Sequence, residues 1–212
     1  GGFVVNWASF GQDGSDWGIY GQRFTASGAR SGAEFRLNTR TESNQSFADE
    51  GALQSVAGLK DGGFVAIWRS SGIDQNSWGV VAQRFDSSGK QVGNELQVNS
   101  YTAGEQLNPA VAAMANGGFV TTWLSMNQDG SGWGVFGQRF DASGAKAGQE
   151  FRLNTNISAN QIQPHVSALA GGGFVASWRD DGNLDSKAQI FDAQGKPVGG
   201  EYTLNTYTGD WQ

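Results

Sequence analysis

The string Gly-Gly-Phe-Val returns four times along the chain. GGFVVNW begins at Gly1, GGFVAIW at Gly62, GGFVTTW at Gly117 and GGFVASW at Gly172, at intervals of 61, 55 and 55 residues. Each copy runs on into WGIYGQRF, WGVVAQRF, WGVFGQRF or the divergent LDSKAQIF, then into TASG, DSSG, DASG or DAQG. Each closes on EFRLNT, ELQVNS, EFRLNT or EYTLNT. A period of this length constrains the fold more than any other feature, because a repeat is one supersecondary unit that buries its apolar side only against its neighbours. The six extra residues of the first interval fall in RTESNQSFADE, a connection of the kind that tolerates insertion. The chain therefore reads as a single repeat domain, 1–212, with units at about 1–44, 45–104, 105–159 and 160–212.

Each unit reads as four short strands. The first is PAVAAM (Pro109–Met114), matched by PHVSAL and QSVAGL; the second is GFVTTW, the third WGVFGQRF and the fourth EFRLN. They are rich in Val, Phe, Trp and Tyr, and NGG, DGG and DASG supply the turns between them. No segment keeps a 3.6-residue apolar period, so no helix is predicted. The expected fold is all-β: a β-propeller-like array of four-stranded antiparallel blades, one per ~55-residue repeat. A second strand apolar on both faces (Phe3, Val4, Val5, Trp7) fits a sheet packed between two others. Small residues in the predicted inner strand (Ala110, Val111, Ala112, Ala113) fit crowding around an axis. Stacked sheets are the alternative. The first blade lacks its inner strand, since the sequence opens at a second strand and closes on NTYTGDWQ. A half-paired edge is an aggregation hazard, so the chain is read as a segment of a longer array.

Composition removes several classes. Twelve per cent aromatic residues, with 8 tryptophans, exclude disorder; 33 glycines without a triplet period, beside only 3 prolines, exclude collagen. A net charge of −6 disfavours nucleic acid and anionic membrane surfaces as partners. No apolar run approaches the roughly 18 residues that span a bilayer, so no membrane insertion is expected. Cysteine is absent, which removes disulfides and thiolate metal sites. His165 is the one histidine and falls in a predicted inner strand, too little for a zinc site or a Ser–His triad. The acidic residues recur with the repeat, whereas a single active site would break it. The expectation is a chain that is not an enzyme.

The candidate site lies between the paired tryptophans. Asp13, Asp74 and Asp129 each follow the unit's first Trp by six residues, and Trp17, Trp78 and Trp133 follow in turn. Indoles beside carboxylates and amides hold sugars by stacking and hydrogen bonding, and Gln12, Gln75, Asn76, Asn127 and Gln128 supply amides. The competing reading makes both tryptophans core anchors of a hairpin. Leu184 stands at the second Trp position of the fourth unit, whose loop is four residues shorter, so that position is apolar before it is anything else. Calcium is a weaker candidate: Ca²⁺ takes 6–8 oxygens, and the loops offer one recurrent Asp, joined by Asp16 in the first unit, making Asp13 and Asp16 the metal candidates. Asp180, Asp181 and Asp185 cluster in the fourth. Glu34, Glu95, Glu150 and Glu201 recur in all units and Arg23, Arg84 and Arg139 in three, which predicts Arg–Glu pairs across the third and fourth strands. Asn38, Asn99, Asn154 and Asn205, each followed by Thr or Ser, are expected to shape the exit from the fourth strand.

The string GGFVxxW…QDGSGWGVxxQRFDASGxxxGxEFRLNT resembles the tandem repeats of very large secreted bacterial proteins, including RTX-type calcium-binding proteins and adhesins exported by type I machinery. The likeness extends over nearly the whole chain and weakens at LDSKAQIF; the nonapeptide calcium repeats of that group are missing. It implies an extracellular or cell-surface location and a role in adhesion or spacing, with glycans, cell-surface components or further repeats as partners. It carries no catalytic residues.

Overall fold

The turn signals and β-branched runs form sheets, one to a repeat. The computed structural model describes residues 1–47, 54–74 and 77–206, and among them there are strands and no helix. The first sheet is β1 (Phe3–Phe10), β2 (Trp17–Phe24) and β3 (Phe35–Arg36). In the second, β4 (Gln45–Ser46) and β5 (Val56–Gly58) both pair with β6 (Phe64–Asp74), followed by β7 (Ser77–Phe85) and β8 (Gln91–Gln97). The third runs β9 (Gln106–Ala113), β10 (Phe119–Met126), β11 (Trp133–Phe140) and β12 (Phe151–Arg152). The fourth runs β13 (Gln161–Ala168), β14 (Phe174–Asp180), β15 (Asp185–Phe191) and β16 (Pro197–Thr203). Among the described residues every pairing is antiparallel, and the first sheet has three strands with β1 at its edge, as expected from the sequence.

Two boundaries differ from expectation. The inner strand begins at Gln106 rather than Pro109, because a bulge carries it past the proline. Asn108 (φ 51) and Gln163 (φ 54) take left-handed backbone just before Pro109 and Pro164, and the register slips there. The fourth strand is only two residues long in units one and three but seven in two and four. Val92 and Val198 lengthen it where the shorter copies have Ser31 and Ala147.

The Gly-Gly signature has a steric cause. Gly62, Gly117 and Gly172 lie at φ of 85, 90 and 96, where side chains are strained. A Cβ on the glycine that follows would overlap the carbonyl of the last Phe of the third strand: Phe85, Phe140 or Phe191. The turn delivers a stacked phenylalanine pair across the two strands, with ring centroids 4.7 Å apart for Phe64–Phe85 and 4.5 Å for Phe119–Phe140.

Successive sheets pack face to face through three apolar layers. Ile19 and Leu37 of the first sheet meet Phe64, Ala66 and Trp68 of the second. Val65, Ile67, Val80 and Val98 meet Val111, Phe119 and Trp123. Val120, Leu124, Val135 and Leu153 meet Val166, Phe174 and Trp178. Along β6, then, Phe64, Ala66 and Trp68 face back and Val65 and Ile67 face forward, which is why the second strand shows no polar alternation. Each fully buried side chain of this size contributes roughly 1.5–3 kcal/mol.

Candidate functional site

The loops between the second and third strands fold around their own aspartate. Asp13 Oδ1 accepts the Ser15 N–H at 3.3 Å and Asp129 Oδ1 accepts the Ser131 N–H at 3.2 Å, an Asx turn in each. The other oxygen points inward. Asn38 Nδ2 donates to Asp13 Oδ2 at 3.2 Å, Asn99 Nδ2 to Asp74 Oδ2 at 2.5 Å and Asn154 Nδ2 to Asp129 Oδ2 at 3.3 Å. Asp74 also accepts from Gln97. Burial pushes the Asp74 carboxyl above the usual carboxylate range, and these two donors oppose that rise.

The asparagines are the hubs. Asn38, Asn99 and Asn154 are buried and Asn205 is half-buried, and the Oδ1 of each accepts a third-strand N–H: Ile19 at 2.7 Å, Val80 at 2.9 Å, Val135 at 2.8 Å and, in the fourth unit, Ser186 at 2.8 Å. Nδ2 of the first three also faces the carbonyls of Arg40, Tyr101 and Asn156 at 2.7–2.8 Å. Seven residues on, a wholly buried glutamine (Gln45, Gln106, Gln161) opens the next unit's inner strand. Asn38 and Asn154 donate to Gln45 Oε1 at 3.2 Å and Gln161 Oε1 at 2.9 Å. One asparagine thus joins the hairpin loop, the third strand, the exit of the fourth strand and the next unit.

The fourth unit keeps the carboxylate and changes its origin. A Cβ on Gly18 or Gly134 would lie 2.6 or 2.5 Å from the Oδ2 of Asp13 or Asp129, so the glycine after the second Trp makes room for the loop aspartate. In the shortened fourth loop the residue at that glycine's place is Asp185, and Asn205 Nδ2 donates to its Oδ1 at 3.0 Å. That bond, then Lys187 with Nζ 3.3 Å from Oδ2, holds the Asp185 carboxyl below its usual range.

The predicted Arg–Glu pairs across one sheet do not form; both side chains cross between units instead. The Glu residues of units two to four reach back: Glu95 accepts the Thr39 N–H, Glu150 the Ser100 N–H at 2.5 Å and Glu201 the Thr155 N–H at 2.9 Å. The arginines reach forward, over the D-x-S-G-type turn of the following unit. Arg23 donates to the Ser87 carbonyl at 2.5 Å and Arg139 to the Ala193 carbonyl at 2.7 Å. Arg84 lies against Gly144 while pairing with Asp61 at 3.1 Å. This direction explains why the fourth unit keeps Glu201 although Ile190 replaces its arginine: Glu201 grips the third unit, and the arginine position points away from it.

The sugar candidates separate. Trp68, Trp123 and Trp178, the first tryptophans of units two to four, are buried core anchors. Trp78 lies under the Arg69 guanidinium, 4.5 Å from its ring centre. Trp133 is half-buried against the layer between sheets three and four, and its backbone N–H donates to Asn160 Oδ1 at 3.1 Å. Trp17 is 43% exposed and meets Phe10, 66% exposed, edge to face at 5.5 Å. Gln12 and Gln128 donate to Glu34 and Glu150, Asn127 is exposed in left-handed backbone at φ 59, and Gln75 and Asn76 lie outside the described residues. Asp16 is exposed, His165 is exposed on β13, and among the described residues no three acidic, His or Cys side chains converge as a metal site would require. Sequence reasoning passed over two recurrent glutamine sets. Besides the inner-strand set, Gln22, Gln83, Gln138 and Gln189 each donate to the next residue's carbonyl and to a second one: Gly32 and Gly148 before the short fourth strands, Val92 and Val198 within the long ones. Their recurrence in all four units, inside an otherwise apolar strand, was the available signal.

No family model matches the chain, and no curated protein does. Among solved structures, it is similar to a protein of unknown function from Dyadobacter fermentans, with a TM-score of 0.60 at 14% identity, over 89% of this chain and 52% of that one. It is also similar to an endo-arabinase from Bacteroides thetaiotaomicron, with a TM-score of 0.51 at 12% identity, over 95% of this chain and 80% of that one. The chain thus spans about half the length of the first of these. At such identities the likeness is one of fold.

Proposed function

We propose that the chain is a β-propeller-like, non-catalytic module of a secreted or cell-surface protein, acting in adhesion. Sheets stacked face to face, with inner strands β5, β9 and β13 in contact from one to the next, support the propeller arrangement. The observation that carries the absence of catalysis is the inward turn of the recurrent carboxylates. Asp13, Asp74, Asp129 and Asp185 are each bound by an asparagine that holds the unit together. The open Phe10–Trp17 pair is the surface best suited to a sugar face. A glycan array probed with the purified chain tests this reading: binding that disappears in Trp17→Ala, while the variant stays folded, is expected.

A second reading is favoured by the clasps between units. Glu and Arg arms that tie each repeat to its neighbour suit a stiff spacer that displays other domains. Failure to bind any glycan or cell surface, with full stability, selects the spacer.

A further inference from the structure

Two positions vary together along the repeats. The residue before the Gly-Gly pair is Asp61 in the second unit, Asn116 in the third and Gly171 in the fourth, while the third strand carries Arg84, Arg139 and Ile190. The register is the same in all three, with Val65 facing Arg84, Val120 facing Arg139 and Val175 facing Ile190. Where the first position is an aspartate, the arginine turns to it. Arg84 Nη2 lies 3.1 Å from Asp61 Oδ2, and among the described residues it donates to no carbonyl of the following unit's turn. Beside the neutral Asn116, Arg139 Nη1 donates across to the Ala193 carbonyl at 2.7 Å. Beside Gly171 the arginine is replaced. Charge at this turn position therefore selects whether the guanidinium stays in its own unit or clasps the next.

We propose that Asn116 is a site of spontaneous deamidation, and that the carboxylate formed there draws Arg139 off Ala193 and loosens the third unit from the fourth. Asn116 is exposed, and it is the one asparagine in the sequence followed by glycine. The Gly117 nitrogen, giving up its proton to water, attacks the Asn116 side-chain carbonyl carbon. The new C–N bond closes a succinimide as the C–Nδ2 bond breaks and ammonia leaves; water then opens the ring to aspartate or isoaspartate. A side chain on the following residue would crowd that attack, and glycine has none. Attack requires the Gly117 N–H to release the Met114 carbonyl, a single turn bond of 3.0 Å. The turn also assists, because Asn116 Oδ1 accepts the Gly118 N–H at 3.0 Å, a donor placed where negative charge develops as the nitrogen adds. The aspartate product has a ready seat: Asp61 Oδ1 accepts the Gly63 N–H at 2.9 Å in the same turn and leaves Oδ2 for the arginine. An ionised acceptor holds a guanidinium more tightly than a neutral carbonyl does.

The test has two arms. The purified chain is held in mildly alkaline buffer and mapped by peptide mass spectrometry; the mass gain of deamidation, with isoaspartate, is expected at Asn116 before the exposed Asn94 and Asn127. Amide exchange reads the second step at Gly195 and Lys196, whose N–H groups bond Asp192 in the clasped turn. Asn116→Asp is expected to quicken exchange there about fivefold, as loss of one hydrogen bond would. Arg139→Gln should give the same quickening, and adding Asn116→Asp to it should give no more. Deamidation no faster at Asn116 than at Asn94 or Asn127, unchanged exchange in Asn116→Asp, or a further quickening in the Arg139→Gln background overturns the proposal.

Discussion

Asn205 Nδ2 donates at 3.0 Å to Asp185, whose carboxylate is rooted in a strand, while Asn154 Nδ2 makes the corresponding bond at 3.3 Å to Asp129, whose carboxylate is rooted in a loop. The same contact reached from two backbone positions says that the repeat requires a carboxylate at the asparagine, and not an aspartate at one place in its sequence. Ligand binding by the recurrent aspartates would not demand that substitution; holding the sheet together does.

Removing a hub should be costly. Asn154→Ala leaves the buried Val135 N–H and the Gln161 Oε1 without the bonds Asn154 makes to them, and each unsatisfied buried group costs about 1–3 kcal/mol. A loss of at least about 2 kcal/mol in urea unfolding is expected, with Asn154→Asp failing to restore it because a carboxylate cannot donate to Asp129.

The clasps between units should act locally. Glu201→Ala frees the Thr155 N–H and hydroxyl, which are exposed, so the global loss should be near 1 kcal/mol. Amide exchange is expected to quicken in β16 and around Thr155 while β6 and β7 stay protected; uniform change throughout the chain would argue for a different role.

Acid unfolding has a defined sign. The Asp86 and Asp141 carboxylates accept the Ser88 and Ser143 hydroxyls at 2.6 Å, and that bond, then the Lys90 and Ala145 N–H groups, holds each carboxyl below its ordinary value of 3.8. A depressed folded pKa gives stability that is complete above 3.8 and lost as pH falls through the lowered value. Asp74, raised by burial, works the other way: its protonation on the way down toward 3.8 favours the folded state. Melting temperature against pH should therefore show a shallower acid limb in Asp86→Asn/Asp141→Asn, and a flatter course above 3.8 in Asp74→Asn.

Trp17→Ala should leave folding almost untouched. Its indole is exposed and touches Phe10 at the surface, where loss of such a contact costs about 0.5–1.5 kcal/mol. Quenching of tryptophan fluorescence by an added glycan, seen in the native chain and reduced in Trp17→Ala, is the expected signal.

Much of this fold is legible in the residues. Repetition of GGFV and QRF fixes one sheet per unit, and two-sided apolar strands such as FVAIW foretell sheets covered on both faces. The three-stranded first sheet follows from the missing inner strand. The candidate site was less legible, because residue type does not give direction. Asp and Trp in a loop read equally as ligand groups or as fasteners, and only the position of Asn38, Asn99 and Asn154, some 25 residues later, separates the two. The Arg and Glu recurrences misled for a related reason: a period sets out neighbours within a unit, whereas these side chains bridge one unit to the next.

The most direct test transplants the fourth unit's solution into the third. Asp129→Ala removes the loop carboxylate, and Gly134→Asp supplies one from the strand, where the glycine's backbone is unstrained. Urea unfolding of the two single variants and the double completes a cycle. Each single change is predicted to destabilise, the first by loss of the bond and the second by forcing two carboxylates together, and the double variant to be more stable than either. A double variant as unstable as the two losses added would contradict the account.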